Sequence, residues 1–178
     1  MDKWYFRLGK VLLLFASSFL FHFLYQWFPC PFTLFFAPVN ESIWEHMKLI
    51  SSAILLVGIL EYAFSIFRRI TISNFFLSLC LSSYFGISFY LLCYLLFPSL
   101  YHSMPYIFLL LLLTVIGIER FSSWIRTWKP VRYTDQIGMI GLCLLLITFG
   151  YLTYHPLHNA LFFDTEQEKY GLYEYVLT

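Results

Sequence analysis

Charge is scarce in this sequence. Eleven lysines and arginines and ten carboxylates amount to 12% of 178 residues and leave a net charge of +1. Water-soluble domains carry about 25% charged residues, so the polar coat of a soluble protein is missing. Nucleic-acid binders need a surplus of cations, so no nucleic acid is expected among the partners. Cysteine is sparse as well. Cys30, Cys80, Cys93 and Cys143 form no Cys-x-x-Cys pair, which excludes a zinc knuckle and a dithiol redox motif. The eight glycines form no phosphate-cradling loop and no nucleophile elbow. No repeat of 20–50 residues is visible.

Apolar residues fill the chain instead. It is 60% hydrophobic and 22% aromatic, with a mean hydropathy of +0.73. Crossing the hydrocarbon core takes about 20 mostly apolar residues, and five stretches fit: 11–28, 43–67, 72–97, 105–120 and 137–154. The expected fold is an all-α membrane protein, a bundle of five transmembrane helices forming one domain over residues 1–178, with the lipid bilayer as its first partner. Cations precede the first span without a small-residue cleavage site, as in an uncleaved anchor.

Lys3, Arg7, Lys10, Arg68, Arg69, Arg120, Arg126, Lys129 and Arg132 fall on one side of this topology, and only Lys48 and Lys169 on the other. The positive-inside rule therefore puts the N-terminus inside and the C-terminus outside. All five tryptophans then fall at interfaces: Trp4, Trp124 and Trp128 inside, Trp27 and Trp44 outside. Residues 32–37, between Pro31 and Pro38, are apolar but too short to cross. An interfacial or re-entrant segment is expected there, between the first two helices. Residues 121–129 are expected along the inner interface. Cys30 and Cys93 both lie near the outer side, where a disulfide between them is conceivable.

With this orientation every histidine falls outside or in the outer half of a span: His22, His46, His102, His155 and His158. The densest polar segment is Pro38-Val39-Asn40-Glu41-Ser42-Ile43-Trp44-Glu45-His46-Met47-Lys48. Ser42-x-x-Glu45 reads as a capping box, Trp44 as a belt anchor, and Lys48 as a snorkelling cation. Those roles leave Asn40, Glu41 and His46 unexplained, so the segment reads either as a cap with its anchors alone or as a cap that also holds a polar site. A second segment, His155-Pro156-Leu157-His158-Asn159, places two imidazoles three positions apart at a helix exit. With His46 and a carboxylate, His155 and His158 have the chemistry to bind zinc; alternatively they fill an aromatic belt. Residues 164–171 read as a short capped helix, with Asp164 or Thr165 at its start and Gly171 past its end.

The run Phe36-Ala-Pro-Val-Asn-Glu-Ser-Ile-Trp-Glu-His-Met-Lys-Leu49, together with Leu161-Phe162-Phe163-Asp164 and Tyr170-Gly171, resembles the signature of a family of small bacterial integral membrane proteins of unknown function. That resemblance implies a multi-pass protein of the bacterial plasma membrane with two motifs on its outer face. It implies no reaction.

Inside the bilayer, Glu61 needs a partner, because a mid-membrane carboxylate costs about 2.5–3.5 kcal/mol on insertion scales. Arg68, Arg69, or Tyr and Ser residues of another span are the candidates. Ser18, His22 and Gln26 form a stripe on the first span. Asn74, Ser78, Ser82 and Gly86 repeat every four residues on the third, a spacing that permits close helix packing.

Three functions stay open. In the first, a membrane-embedded hydrolase or acyltransferase acts on a lipid, lipoprotein or envelope precursor. Glu41, Glu45, His46 and His158 are then catalytic, while Asn40, Asn159 and His22 bind substrate. The second is a partner or structural subunit of a membrane complex, its polar segment a hydrogen-bonded plug. The third is a small carrier or channel subunit using Glu61 and His22, which would need to oligomerise.

Overall fold

The computed structural model describes residues 4–172 and 174–175; the His102 side chain lies outside the described part. Five helices dominate: α1 (Trp4–Trp27), α2 (Ile43–Arg68), α3 (Phe75–Leu96), α4 (Met104–Ile125) and α5 (Thr134–Tyr154). All five are long and apolar enough to cross a membrane. Their ends depart from the apolar stretches in the sequence. The first helix begins at Trp4 rather than Val11, and α4 runs to Ile125, so residues 121–125 continue that helix. A helix satisfies its backbone internally whatever its side chains, so it continues through polar flanks until a turn stops it.

Those turns are held across the bundle. Asn74 takes a left-handed backbone (φ 51°) before α3, and its Nδ2 donates to the Trp128 carbonyl at 2.9 Å. Asp135, in the first turn of α5, accepts from the Phe76 and Leu77 amides at 2.8 and 3.3 Å. It satisfies donors that every helix start leaves open. The 2–3 turn and the 4–5 loop are thereby tied together.

In the bundle α3 packs against α2, α4 and α5, while α1 packs against α2 and α4. Small residues set the spacing. A methyl group on Gly138 would lie 2.4 Å from the Leu77 backbone nitrogen, and one on Gly86 would lie 2.7 Å from the Ile118 side chain. Ser78, Ser82 and Gly86 are buried, as their four-residue spacing predicts.

Between α1 and α2, Thr33–Phe35 forms one 3-10 turn with Thr33 and Leu34 buried against the bundle. After α5 the chain forms a three-stranded antiparallel sheet, β1 (Phe163–Asp164), β2 (Lys169–Tyr170) and β3 (Glu174–Tyr175), in the order β1-β2-β3. This replaces the capped helix expected over 164–171. Asp164 Oδ1 accepts from the Glu166 and Gln167 amides at 2.8 and 3.1 Å, so the side chain that would have capped a helix closes a turn instead. Gly171 has a positive φ of 53°, and a Cβ there would meet the Thr153 carbonyl at 2.5 Å. No described cysteine is in a disulfide: Cys30 and Cys93 are both free thiols.

Candidate metal centre

The site is built on the start of α2. Ser42 is the N-cap, with extended backbone, and its Oγ accepts from the Glu45 amide at 3.4 Å. The return half of the capping box differs from the expected one. Glu45 Oε2 accepts from the Val39 amide at 3.0 Å, while the Ser42 amide donates to Asn40 Oδ1 at 3.0 Å. Asn40 Nδ2 in turn donates to the Gly171 carbonyl at 2.9 Å, and Asp164 Oδ2 accepts from the Glu41 amide at 2.9 Å. The Trp44 amide donates to the Leu161 carbonyl, and its ring stacks on Phe162 with centroids 4.8 Å apart. Trp44 thus joins α2 to the tail.

Beneath this lies an enclosed ion pair. Lys48 is buried rather than snorkelling, and its ammonium donates to Glu45 Oε2 at 2.5 Å, Thr153 Oγ1 at 2.5 Å and the Leu34 carbonyl at 2.9 Å. An ammonium has three donors, and all three are used. Glu45 Oε1 accepts from Thr153 Oγ1 at 2.9 Å, so both carboxylate oxygens are engaged. Nothing in the sequence around Thr153 marks it; its role follows only from the approach of α5 to α2.

On the other side of α2 stand His22, Glu41 and His46, whose ligand atoms all lie within 4.8 Å of one another. His46 Nδ1 is 3.0 Å from the Ser42 carbonyl. A carbonyl only accepts, so Nδ1 donates to it, while Nε2 faces Glu41 at 3.3 Å. A carboxylate also only accepts, so that contact is a hydrogen bond when Nε2 carries a second proton, the one a bound metal would displace. The His22 ring lies 5.4 Å from that of His46. The hydrogen bond from His46 holds the Glu41 carboxyl below its ordinary range, against an opposing effect of burial. Nearby, burial pushes the Tyr101 phenol up to about 12, and the charge of Glu41 adds to this. Tyr101 shares a short hydroxyl hydrogen bond with Tyr90.

These donors fit zinc. Bonds of about 2.0–2.1 Å at tetrahedral angles put ligand atoms about 3.4 Å apart, close to the Nε2–carboxylate distance seen. The Nδ1–Ser42 bond is the outer support that fixes a ligand imidazole. The expected metal group was His46 with His155 and His158; the structure puts His46 with His22 and Glu41. His155 packs on Tyr151 at 4.9 Å and His158 stacks on Tyr170 at 4.8 Å. Asn159 Oδ1 accepts from the Leu161 amide in a turn.

Glu61 sits at the far end of α2. Its partners are neither Arg68 nor Arg69. Arg126 Nη1 and Nη2 donate to its two oxygens at 2.5 and 2.9 Å, and Lys10 Nζ lies 3.1 Å away. Lys10 and His22 are 12 positions apart on α1, about 18 Å along its axis, so Glu61 and His22 belong to separate sites. The charge of Arg126 could have nominated it from sequence, but its contact with α2 could not be read there.

The chain belongs to a family of unknown function, DUF6512, whose model matches residues 1–172. No curated protein and no solved structure matches it.

Proposed function

We propose a multi-pass protein of the bacterial plasma membrane, N-terminus inside and C-terminus outside by the distribution of its cations, that carries a metal-dependent hydrolase or acyltransferase site at its outer face. The reading rests on one observation: His46 Nε2 is aimed at Glu41 beside His22 by a donor bond from Nδ1 to the Ser42 carbonyl. Two imidazoles and one carboxylate leave a fourth zinc position for water or substrate, the composition of catalytic rather than structural sites. Zinc bound there would make hydroxide available near neutral pH. Set at the end of a membrane span, the site suits a lipid, a lipoprotein or an envelope precursor. Glu45, with its oxygens engaged, acts as a positioning residue in this reading, and Asn40 fastens the tail beneath the site.

Metal analysis of the detergent-purified full chain, loaded with zinc and dialysed, tests the centre. One zinc per chain is expected in wild type, His155→Ala and His158→Ala. His22→Ala, Glu41→Ala and His46→Ala should lose it while keeping their helical circular dichroism. Zinc-free wild type would overturn the proposal and leave a proton shared between His46 and Glu41. Cleavage of radiolabelled envelope lipids by wild type, lost in His46→Ala, then tests the hydrolase assignment.

The enclosed Glu45–Lys48–Thr153 group favours a second reading, a structural partner subunit. It predicts that each substitution around α2's start lowers stability while changing neither metal content nor turnover.

A further inference from the structure

The opposite end of the bundle holds a cavity of about 690 Å³ between α1, α2, α4 and the turn at 70–73. Its volume lies within the ordinary range for small-molecule sites, about 300–1,000 Å³. Two kinds of residue line it. Phe6, Leu13, Leu60 and Phe64 are apolar, and each is also an exposed residue on a helix long and apolar enough to cross a membrane, so the cavity continues into the apolar outer surface. Arg7, Lys10, Glu61, Glu119 and Arg126 are charged.

Among these described residues cations outnumber carboxylates three to two. Glu61 is held by Arg126 and Lys10, while Arg7 Nε lies 3.9 Å from Glu119. Exposed apolar side chains beside cations that share two carboxylates have the profile of a site for an anionic amphiphile.

We infer that this cavity binds one anionic phospholipid, its phosphate toward Arg7, Lys10 and Arg126 and an acyl chain along Leu13, Leu60 and Phe64. Free phosphate shares the headgroup chemistry but makes no use of the apolar residues. The inference is independent of the metal centre.

Gly9 allows a direct test. It lines the cavity, and a Cβ added there meets nothing within 4 Å. Gly9→Leu therefore fills the space without touching a charge, and leucine favours a helix more than glycine does. The delipidated full chain would be exchanged with equal amounts of phosphatidylglycerol and phosphatidylcholine, and bound lipid counted by native mass spectrometry. Wild type should retain one phosphatidylglycerol in about tenfold preference, a difference of about 1.4 kcal/mol. Gly9→Leu should lose it with a lipid-free melting midpoint no lower than that of wild type. If Gly9→Leu does not fold, Arg7→Gln is the second variant and should abolish the preference between the two lipids. Equal retention of both lipids by wild type would overturn the inference, as would retention unaffected by either substitution. Displacement of phosphatidylglycerol by inorganic phosphate alone would also overturn it, reducing the site to an anion pocket.

Discussion

Glu45 and Glu61 stand on one helix 16 positions apart, about 24 Å, and each is paired with cations, yet their surroundings differ. Glu45 and Lys48 have side chains 1% and 0% exposed, while Glu61 and Arg126 are 11% and 15% exposed beside an open cavity. The first pair is complete: every ammonium donor has an acceptor from the protein. The second is redundant, because Glu61 has two cations and one of them can be spared. Removing charges from low-dielectric surroundings costs several kcal/mol per ion, which attraction repays only with full hydrogen bonding. A closed group meets that condition through geometry alone, whereas an open one draws on water and on a second cation. The closed cluster should therefore behave as a lock on the fold, and the open one as a surface that can exchange partners.

Lys48→Met breaks the comparison most severely. It leaves Glu45 buried and unpaired, so a loss of about 3–5 kcal/mol is expected, read as a lower midpoint in detergent-denaturation curves followed by circular dichroism. Adding Glu45→Gln to Lys48→Met should recover much of that loss. A single variant as stable as wild type would show that the pair contributes nothing to the lock. Arg126→Gln comes next, at about 1.5–3 kcal/mol, the range for a hydrogen bond to a charged group, because Lys10 still faces Glu61. Should it equal or exceed the Lys48→Met loss, the redundancy argument fails. Combining Lys48→Met with Arg126→Gln sharpens the contrast. Sites this far apart without shared partners add to within about 0.5 kcal/mol. A larger departure would mean that α2 couples its two ends.

The difference between these clusters also marks where sequence reasoning stops. Five spans were legible because hydrocarbon thickness imposes a length, and the small-residue repeat on α3 was legible because helical periodicity is local. Ser42 was legible as a cap for the same reason. Lys48 was misread because a lysine near a helix end normally reaches for water, and only the meeting of Leu34 and Thr153 around it makes burial affordable. The tail sheet was missed because Asp164 carries the same signal for a helix cap and for a turn. His22 and His46 were both visible as polar residues near one interface, but their neighbourhood depends on how α1 crosses α2. Local signals survive in one dimension; contacts across 24 positions, as between His22 and His46, or 105, as between Lys48 and Thr153, do not.

Glu41 gives the smallest effect and a distinct test of the metal centre's resting state. Its side chain is 34% exposed, so solvent screens much of its interaction with His46. Its carboxyl titrates below the ordinary value of 4.5, chiefly through the His46 hydrogen bond. A carboxyl lowered on folding adds stability that is fully present above its unfolded value and disappears as pH falls through the folded one. In chelator, with metal removed, wild type should therefore melt slightly above Glu41→Gln at pH 7, and the two curves should converge as the pH drops below about 4.5. A gap that stayed constant down to pH 3 would assign Glu41's contribution to packing rather than to charge. Convergence only after zinc is added back would place the charge interaction with the ion and not with His46.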